Sequence, residues 1–199
     1  MQGADVHART AAEVFGVDED AVTSKMRRDA KAVNFGIIYG ISDFGLASSI
    51  GVPVTEAKAY MERYLDKFKG VKEYQARSIE ECRAAGYAKT LFGRLRKIAE
   101  INAANYNLRA FGERAAMNMP LQGTAADIIK IAMIRIDRAL EGYKSKLILQ
   151  VHDELIADAD PAEAEEVAAI IKREMEAACT LNVPLVVDVG IGKNWLEAK

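Results

Sequence analysis

Arg27, Lys31, Phe35 and Tyr39 recur every four residues. A helix turns about 100° per residue, so such a series stays on one broad face, with cations at its N-terminal end and aromatics further along. An anion such as a triphosphate could lie against Arg27 and Lys31, the guanidinium gripping oxygens and the ammonium acting as a point charge. A flat base or sugar could stack near Phe35 and Tyr39. An ordinary amphipathic helix with core aromatics and solvated cations would show the same spacing. Against that stand the glycines of Phe35-Gly36-Ile37-Ile38-Tyr39-Gly40, which weaken a helix with no packing gain legible in sequence. A second chemical feature is His152-Asp153-Glu154, set between two apolar runs that read as strands. Adjacent carboxylates at such a tip are costly to crowd together unless they are solvated or bind a cation. Mg²⁺ suits a site with few protein oxygens, because it keeps waters and recruits phosphates. Asp153 and Glu154 also fit plain turn residues, and from the tripeptide alone that plainer reading wins, because His-Asp-Glu is too short to be specific.

The elements that must position these residues change character along the chain. Helical periodicity covers 6–15, 24–38, 42–50, 55–69, 71–85, 105–117 and 121–141, with breaks such as Gly51-Val52-Pro53 and Gly70 between them. From residue 146 the period becomes that of strands: 146–151, then 155–158, then a helix from Pro161 to near Ala178, and a last strand over 183–189. No internal repeat or low-complexity segment interrupts this order.

Bulk composition sets outer bounds. The 199 residues are 50% hydrophobic and 28% charged, enough to build a core and too apolar for a disordered chain. Cys82 and Cys179 lack metal-ligand spacing, which argues against a disulfide framework and for a reducing interior. No secretory signal pattern or bilayer-spanning apolar run is present, so a soluble, intracellular protein without a membrane partner is expected. Lys plus Arg number 27 against 29 Asp plus Glu, a net charge of -2 that taken alone argues against nucleic acid. The charges are segregated, however. Lys25, Arg27, Arg28 and Lys31 cluster, as do Arg83, Lys89, Arg94, Arg96 and Lys97, while Glu163, Glu165, Glu166, Glu174 and Glu176 gather elsewhere.

Arg27-x3-Lys31-x3-Phe35-Gly36-x2-Tyr39-Gly40 resembles the finger-helix motif of family A DNA polymerases, the bacterial DNA polymerase I group. Asp5-Val-His7-x2-Thr10 resembles the segment before that helix, and Arg114-x3-Asn118-x-Pro120-x-Gln122-Gly123 the stretch after it. Val151-His152-Asp153-Glu154 resembles the palm motif with a metal-binding aspartate, and Gly192-x2-Asn194-Trp195 the usual C-terminus. Several ordered motifs at family spacing make the match highly specific. The implied fold is α+β: a helical fingers subdomain (1–104) joined to a partial palm (105–199), with a small antiparallel sheet of hairpin plus C-terminal strand and a packed helix.

The resemblance also implies a reaction, attack of a primer 3′-hydroxyl on the α-phosphate of a dNTP, assisted by two Mg²⁺ ions. It implies Asp153 as the metal ligand with Glu154 in support, and His152 near the primer terminus. Arg27, Lys31 and His7 would meet the triphosphate, with Lys31 also a proton donor to pyrophosphate. Phe35 would lie against sugar and base, and Tyr39 by the nascent pair. Arg114, Asn118 and Gln122 would contact the minor groove of primer-template DNA. Thr90, Arg94 and Arg96 resemble a DNA-contacting loop, although Leu95 stands where Arg is common and Ala99 where Pro is usual. The family places a second metal-binding aspartate upstream of all these motifs, and nothing before Asp5 supplies it. The chain is therefore expected to be a fingers-plus-partial-palm piece of a cytoplasmic, nucleoid-associated bacterial enzyme, inactive alone and prone to self-association. The alternative is a non-catalytic dNTP- or DNA-binding module or one piece of a split polymerase.

Overall fold

The structure is a computed structural model, and it describes residues 5–198. Seven α-helices and two antiparallel hairpins make up its regular elements: α1 (Val6–Phe15), α2 (Ser24–Ile38), α3 (Asp43–Ile50), α4 (Val54–Lys67), α5 (Lys69–Ala85), β1 (Tyr87–Lys89), β2 (Leu95–Lys97), α6 (Tyr106–Ala139), β3 (Lys146–Val151), β4 (Glu154–Asp158) and α7 (Ala164–Glu176). Mixed α+β architecture is thus confirmed. The chain divides into two compact units, one running to Lys89 and including Leu95–Pro120, the other comprising Thr90–Arg94 and the residues from Leu121 onward.

In the first unit, α2 buries Ala30, Val33, Asn34 and Ile37, at helical spacing along one stripe. Val33 and Ile37 pack with Leu46 and Ala47 of α3 and with Ala57, Tyr60 and Tyr64 of α4. Each fully buried aliphatic side chain here contributes about 1.5–3 kcal/mol relative to exposure. A second cluster joins Cys82, Ala88, Ile98, Ile101, Ala116 and Met119. There Gly112 of α6 runs against backbone: a Cβ on it would come within 2.7 Å of the Glu100 carbonyl carbon and the Ile101 nitrogen. Gly112→Ala should therefore lower stability by about 1–3 kcal/mol, the usual cost of overpacking, read as a drop in the denaturant midpoint at constant m-value.

In the second unit, α7 lays Val167, Ile170 and Ile171 against Ala132 and Ile136 of α6 and Leu140 just beyond it, with Leu155 and Ala157 of β4 beneath them. The β3–β4 ladder pairs Val151 with Glu154, leaving a two-residue turn at His152-Asp153. Glu163 ties this unit's loops together: its carboxylate accepts from the Ser145 hydroxyl at 2.7 Å and from the Lys144 and Ser145 amides. The Ser145 bond in particular holds its carboxyl below the usual range.

Three expectations need correction at the level of elements. The strand foreseen over 183–189 forms no ladder among the described residues. Pro184 has no N–H to give to a sheet, and the Val187 amide is spent on the Glu176 carboxylate at 3.1 Å. The helices foreseen as 105–117 and 121–141 form one element, helical through Pro120. Only the bond from residue 120 to the Ala116 carbonyl is removed by the ring, and the flanking turns hold. The segment around Thr90, Arg94 and Arg96, expected as a loop, is the tip and second strand of the β1–β2 hairpin.

Candidate active-site residues

The exposed side of α2 carries the expected series. Arg27, Lys31 and Phe35 are exposed, turned away from the Ala30–Val33–Ile37 stripe, and Tyr39 is half-buried just past the helix end. The aromatics are contiguous, with ring centroids of Phe35 and Tyr39 6.0 Å apart and those of His7 and Phe35 5.9 Å apart. One strip therefore runs from two cations to three rings, a surface suited to an anion linked to a flat group.

The chain end of α2 explains Gly40. Gly40 adopts φ 75°, its amide bonds the Ile37 carbonyl at 3.0 Å, and the Ile41 amide bonds the Gly36 carbonyl at 2.8 Å. This reciprocal pair is a Schellman cap, which needs a left-handed residue after the helix. A Cβ at Gly40 would also collide with the Met117 side chain. From α5, Gln75 Nε2 adds a bond to the Ile37 carbonyl at 2.7 Å. The end that presents Phe35 and Tyr39 is thereby fixed.

The N-terminal half of the strip is anchored by α1. Asp5 caps α1 by accepting from the His7 and Ala8 amides, and its other oxygen accepts from Arg27 Nε at 2.5 Å. The Arg27 bond, together with these amides, holds the Asp5 carboxyl below its usual range. A depressed carboxylate gives its contribution above the unfolded pKa, so this contact persists at neutral pH and is lost only as acidity passes through that lowered value. Arg27's terminal nitrogens and the Lys31 ammonium have no hydrogen-bond or ion-pair partner among the described residues. Thr10 and Asn34, both buried, bond to each other, and Asn34 reaches His7. Sequence reading passed over Asn34. Its signal was a polar residue in the middle of a helix, a place such residues seldom favour.

At the β3–β4 turn, His152 has φ 54°, the sole non-glycine residue with positive φ among those described. A two-residue hairpin with φ > 0 at its first position usually recruits glycine there, so a histidine marks a site where the side chain matters. Gln150 Nε2 bonds the His152 carbonyl at 3.0 Å and steadies the turn. Asp153 is exposed and without a hydrogen-bond partner among the described residues. Glu154 is half-buried and accepts from Trp195 Nε1 at 3.2 Å. The donor set fits a hard cation such as Mg²⁺, which takes one or two carboxylates and completes its shell with water and phosphate oxygens. Among the described residues no group of three His, Cys, Asp or Glu side chains converges on one point.

The remaining expected residues fall into different circumstances. Arg114, Asn118 and Gln122 all lie on α6, the outer two exposed. Asn118 is half-buried, with its Nδ2 3.4 Å from the Tyr39 carbonyl and its Oδ1 buried without a partner. Thr90 is buried, its hydroxyl accepting from the Arg94 amide at 3.1 Å. Arg94 pairs with the buried Asp127, and the Leu91 amide bonds Thr124 Oγ1 at 2.9 Å. The 90–94 tip is thus pinned in place, and Arg94, like Arg96 on β2, remains exposed.

Comparison with known proteins decides the family. The profile described as DNA polymerase family A matches residues 1–197. The chain belongs to DNA polymerase family A. DNA polymerase I of Streptococcus pneumoniae is 49% identical over all of this chain and 23% of its own length. DNA polymerase I of Bacillus subtilis is 50% identical, over 98% of this chain and 22% of its own. The chain thus spans about a quarter of the curated relatives it matches. A solved POL domain of Pol1 from M. smegmatis, in complex with DNA primer-template and dNTP, superposes with a TM-score of 0.92 at 42% identity, covering 98% of this chain and 35% of that one. Among the described residues no helix is long and apolar enough to cross a membrane.

Proposed function

We propose that these residues form the dNTP-binding fingers and one metal-binding edge of a DNA-directed DNA polymerase. The observation that carries the reading is the α2 strip, in which Arg27 and Lys31 lead into Phe35, Tyr39 and His7. Arg27 is held by Asp5 through Nε, so its terminal nitrogens face outward as a preset fork for phosphate oxygens. Lys31 supplies a point charge one turn on and a proton for departing pyrophosphate. Phe35 and Tyr39 form the platform for sugar and base. The M. smegmatis neighbour was solved with primer-template and dNTP, which supports these ligands for this chain too.

Asp153, with Glu154 behind it, would hold Mg²⁺. When bound, the metal supplies Lewis-acid activation of the primer hydroxyl and charge stabilisation on the leaving oxygens. The strained turn fixes Asp153's outward position, and His152 beside it would meet the primer end. Trp195 holds Glu154 in place. Arg114, Asn118 and Gln122 would read duplex shape, with Arg96 adding phosphate contact. Thr90 and Arg94 would belong to the same DNA-contacting loop. On this reading, 1–104 act as fingers and 105–199 as partial palm, in a cytoplasmic, nucleoid-associated protein. Exposed Ile148, Val183 and Val186 offer the surface for self-association when the chain is alone.

The 199 residues by themselves act as a binding module, because among the described residues the turn offers Asp153 and Glu154 alone and two-metal chemistry needs more carboxylates. Exchanging these residues into Streptococcus pneumoniae DNA polymerase I, in place of their 49%-identical counterpart, tests the function. The chimera should extend a primer with template-matched dNTPs, and the isolated chain should not. A folded chimera that incorporates nothing would overturn the proposal.

A further inference from the structure

His7 meets α2 through a buried relay. The Thr10 hydroxyl donates to Asn34 Oδ1 at 3.1 Å, and Asn34 Nδ2 lies 3.0 Å from His7 Nδ1. Asn34 is 4% exposed and Thr10 likewise, so neither can exchange its partner for water cheaply. An amide nitrogen only donates. In this amide orientation Oδ1 accepts from Thr10 and Nδ2 donates to Nδ1, which leaves Nδ1 bare. The ring proton then sits on Nε2. His7 is half-buried, its ring 5.9 Å from that of Phe35 and tilted 40° to it, so the ring lies beside the strip that carries Arg27 and Lys31.

We infer that Asn34, with its Oδ1 on the Thr10 hydroxyl, is a positioning residue that locks His7 in the Nε2–H tautomer and so makes it a fixed hydrogen-bond donor toward an anionic oxygen on the α2 strip. The oxygen's identity as a triphosphate oxygen rests on the function proposed above; the tautomer does not. The logic is that of a histidine whose outer nitrogen is set by the bond its inner nitrogen makes. Arg27, Lys31 and His7 then differ in kind. The first two attract the anion by charge, and the third discriminates by direction, because it has one N–H at a fixed angle. Replacing Asn34 with aspartate reverses the relay: a carboxylate accepts from both sides, drawing the ring proton to Nδ1 and turning Nε2 into an acceptor that faces an anion.

The chain has two histidines, so a His152→Gln variant assigns the His7 ring signals in a two-bond ¹H–¹⁵N correlation spectrum of the 199-residue chain. At mildly alkaline pH the wild type should show a bare Nδ1 and a protonated Nε2. Asn34→Asp should move the proton to Nδ1. Thr10→Val, which keeps the side-chain shape and removes only the donor, should give mixed tautomers, and it serves if the aspartate variant does not fold. Alongside, dATP titration should show about tenfold weaker binding for Asn34→Asp, the scale of one hydrogen bond to a charged group lost. A wild-type ring protonated on Nδ1, or a tautomer unmoved by both substitutions, would overturn the relay. A moved tautomer with unchanged dATP affinity would overturn the donor role. An Arg27→Ala variant that binds dATP as well as wild type would instead sink the triphosphate reading, leaving the ring spectrum to decide the relay.

Discussion

Asp153→Asn, placed in the Streptococcus pneumoniae chimera, should cut primer extension by about a thousandfold or more. The side chain is exposed and unpartnered among the described residues, so the substitution removes no native contact and should leave the melting temperature unchanged. What it removes is a negative oxygen for a hard cation, whose Lewis acidity supplies several kcal/mol. Each 1.4 kcal/mol is about tenfold in rate, so losing the cation's hold multiplies quickly. Glu154→Gln should cost much less in rate and more in stability, because Glu154 also anchors Trp195. Steady-state extension rates and thermal melts on the two variants separate those outcomes. Equal losses from both would mean that the two carboxylates act as a pair.

The second large effect lies on α2. Arg27→Ala and Lys31→Ala should each weaken dNTP binding by about tenfold, and the double variant by about a hundredfold. Charge-assisted hydrogen bonds are worth about 1.5–3 kcal/mol, and exposure of both side chains places them at the low end. Arg27→Ala carries an additional penalty. It leaves the Asp5 carboxylate without its cation beside the incoming anion, so its effect should exceed that of Lys31→Ala at low salt and shrink toward it as salt rises.

Much of this arrangement was legible in the chain because it is local. The four-residue spacing of Arg27, Lys31, Phe35 and Tyr39 survives folding since helix geometry alone places them. The acidic tip was legible because two β-prone runs flank it. What escaped was non-local or subtle. Asn34 reads as a poor helix residue until Thr10, 24 positions away, gives it a partner. Thr90 and Arg94 stand in a segment that resembles a DNA-contacting loop, and the buried Asp127 that pairs with Arg94 was not legible because it is distant in sequence. The β1–β2 strands are three residues each, too short to show a period of two. Conversely, Val183-Pro184-Leu185-Val186-Val187 looks like a strand by composition, but a strand needs a ladder partner, and none pairs with it among the described residues. Gly40 was visible as an anomaly, and its left-handed place in the Schellman cap supplies the reason, while a Cβ at Gly36 would crowd the Ile41 side chain at 3.3 Å.

The central claim is that α2 presents a triphosphate site, and equilibrium titration tests it most directly. A fluorescent dNTP should be titrated into the 199-residue chain at low salt, with wild type, the Arg27→Ala/Lys31→Ala double variant and an Arg77→Ala control of equal charge change per site. Wild type and control should bind saturably with the same affinity, and the double variant about a hundredfold more weakly. Equal affinity in all three proteins would contradict the account.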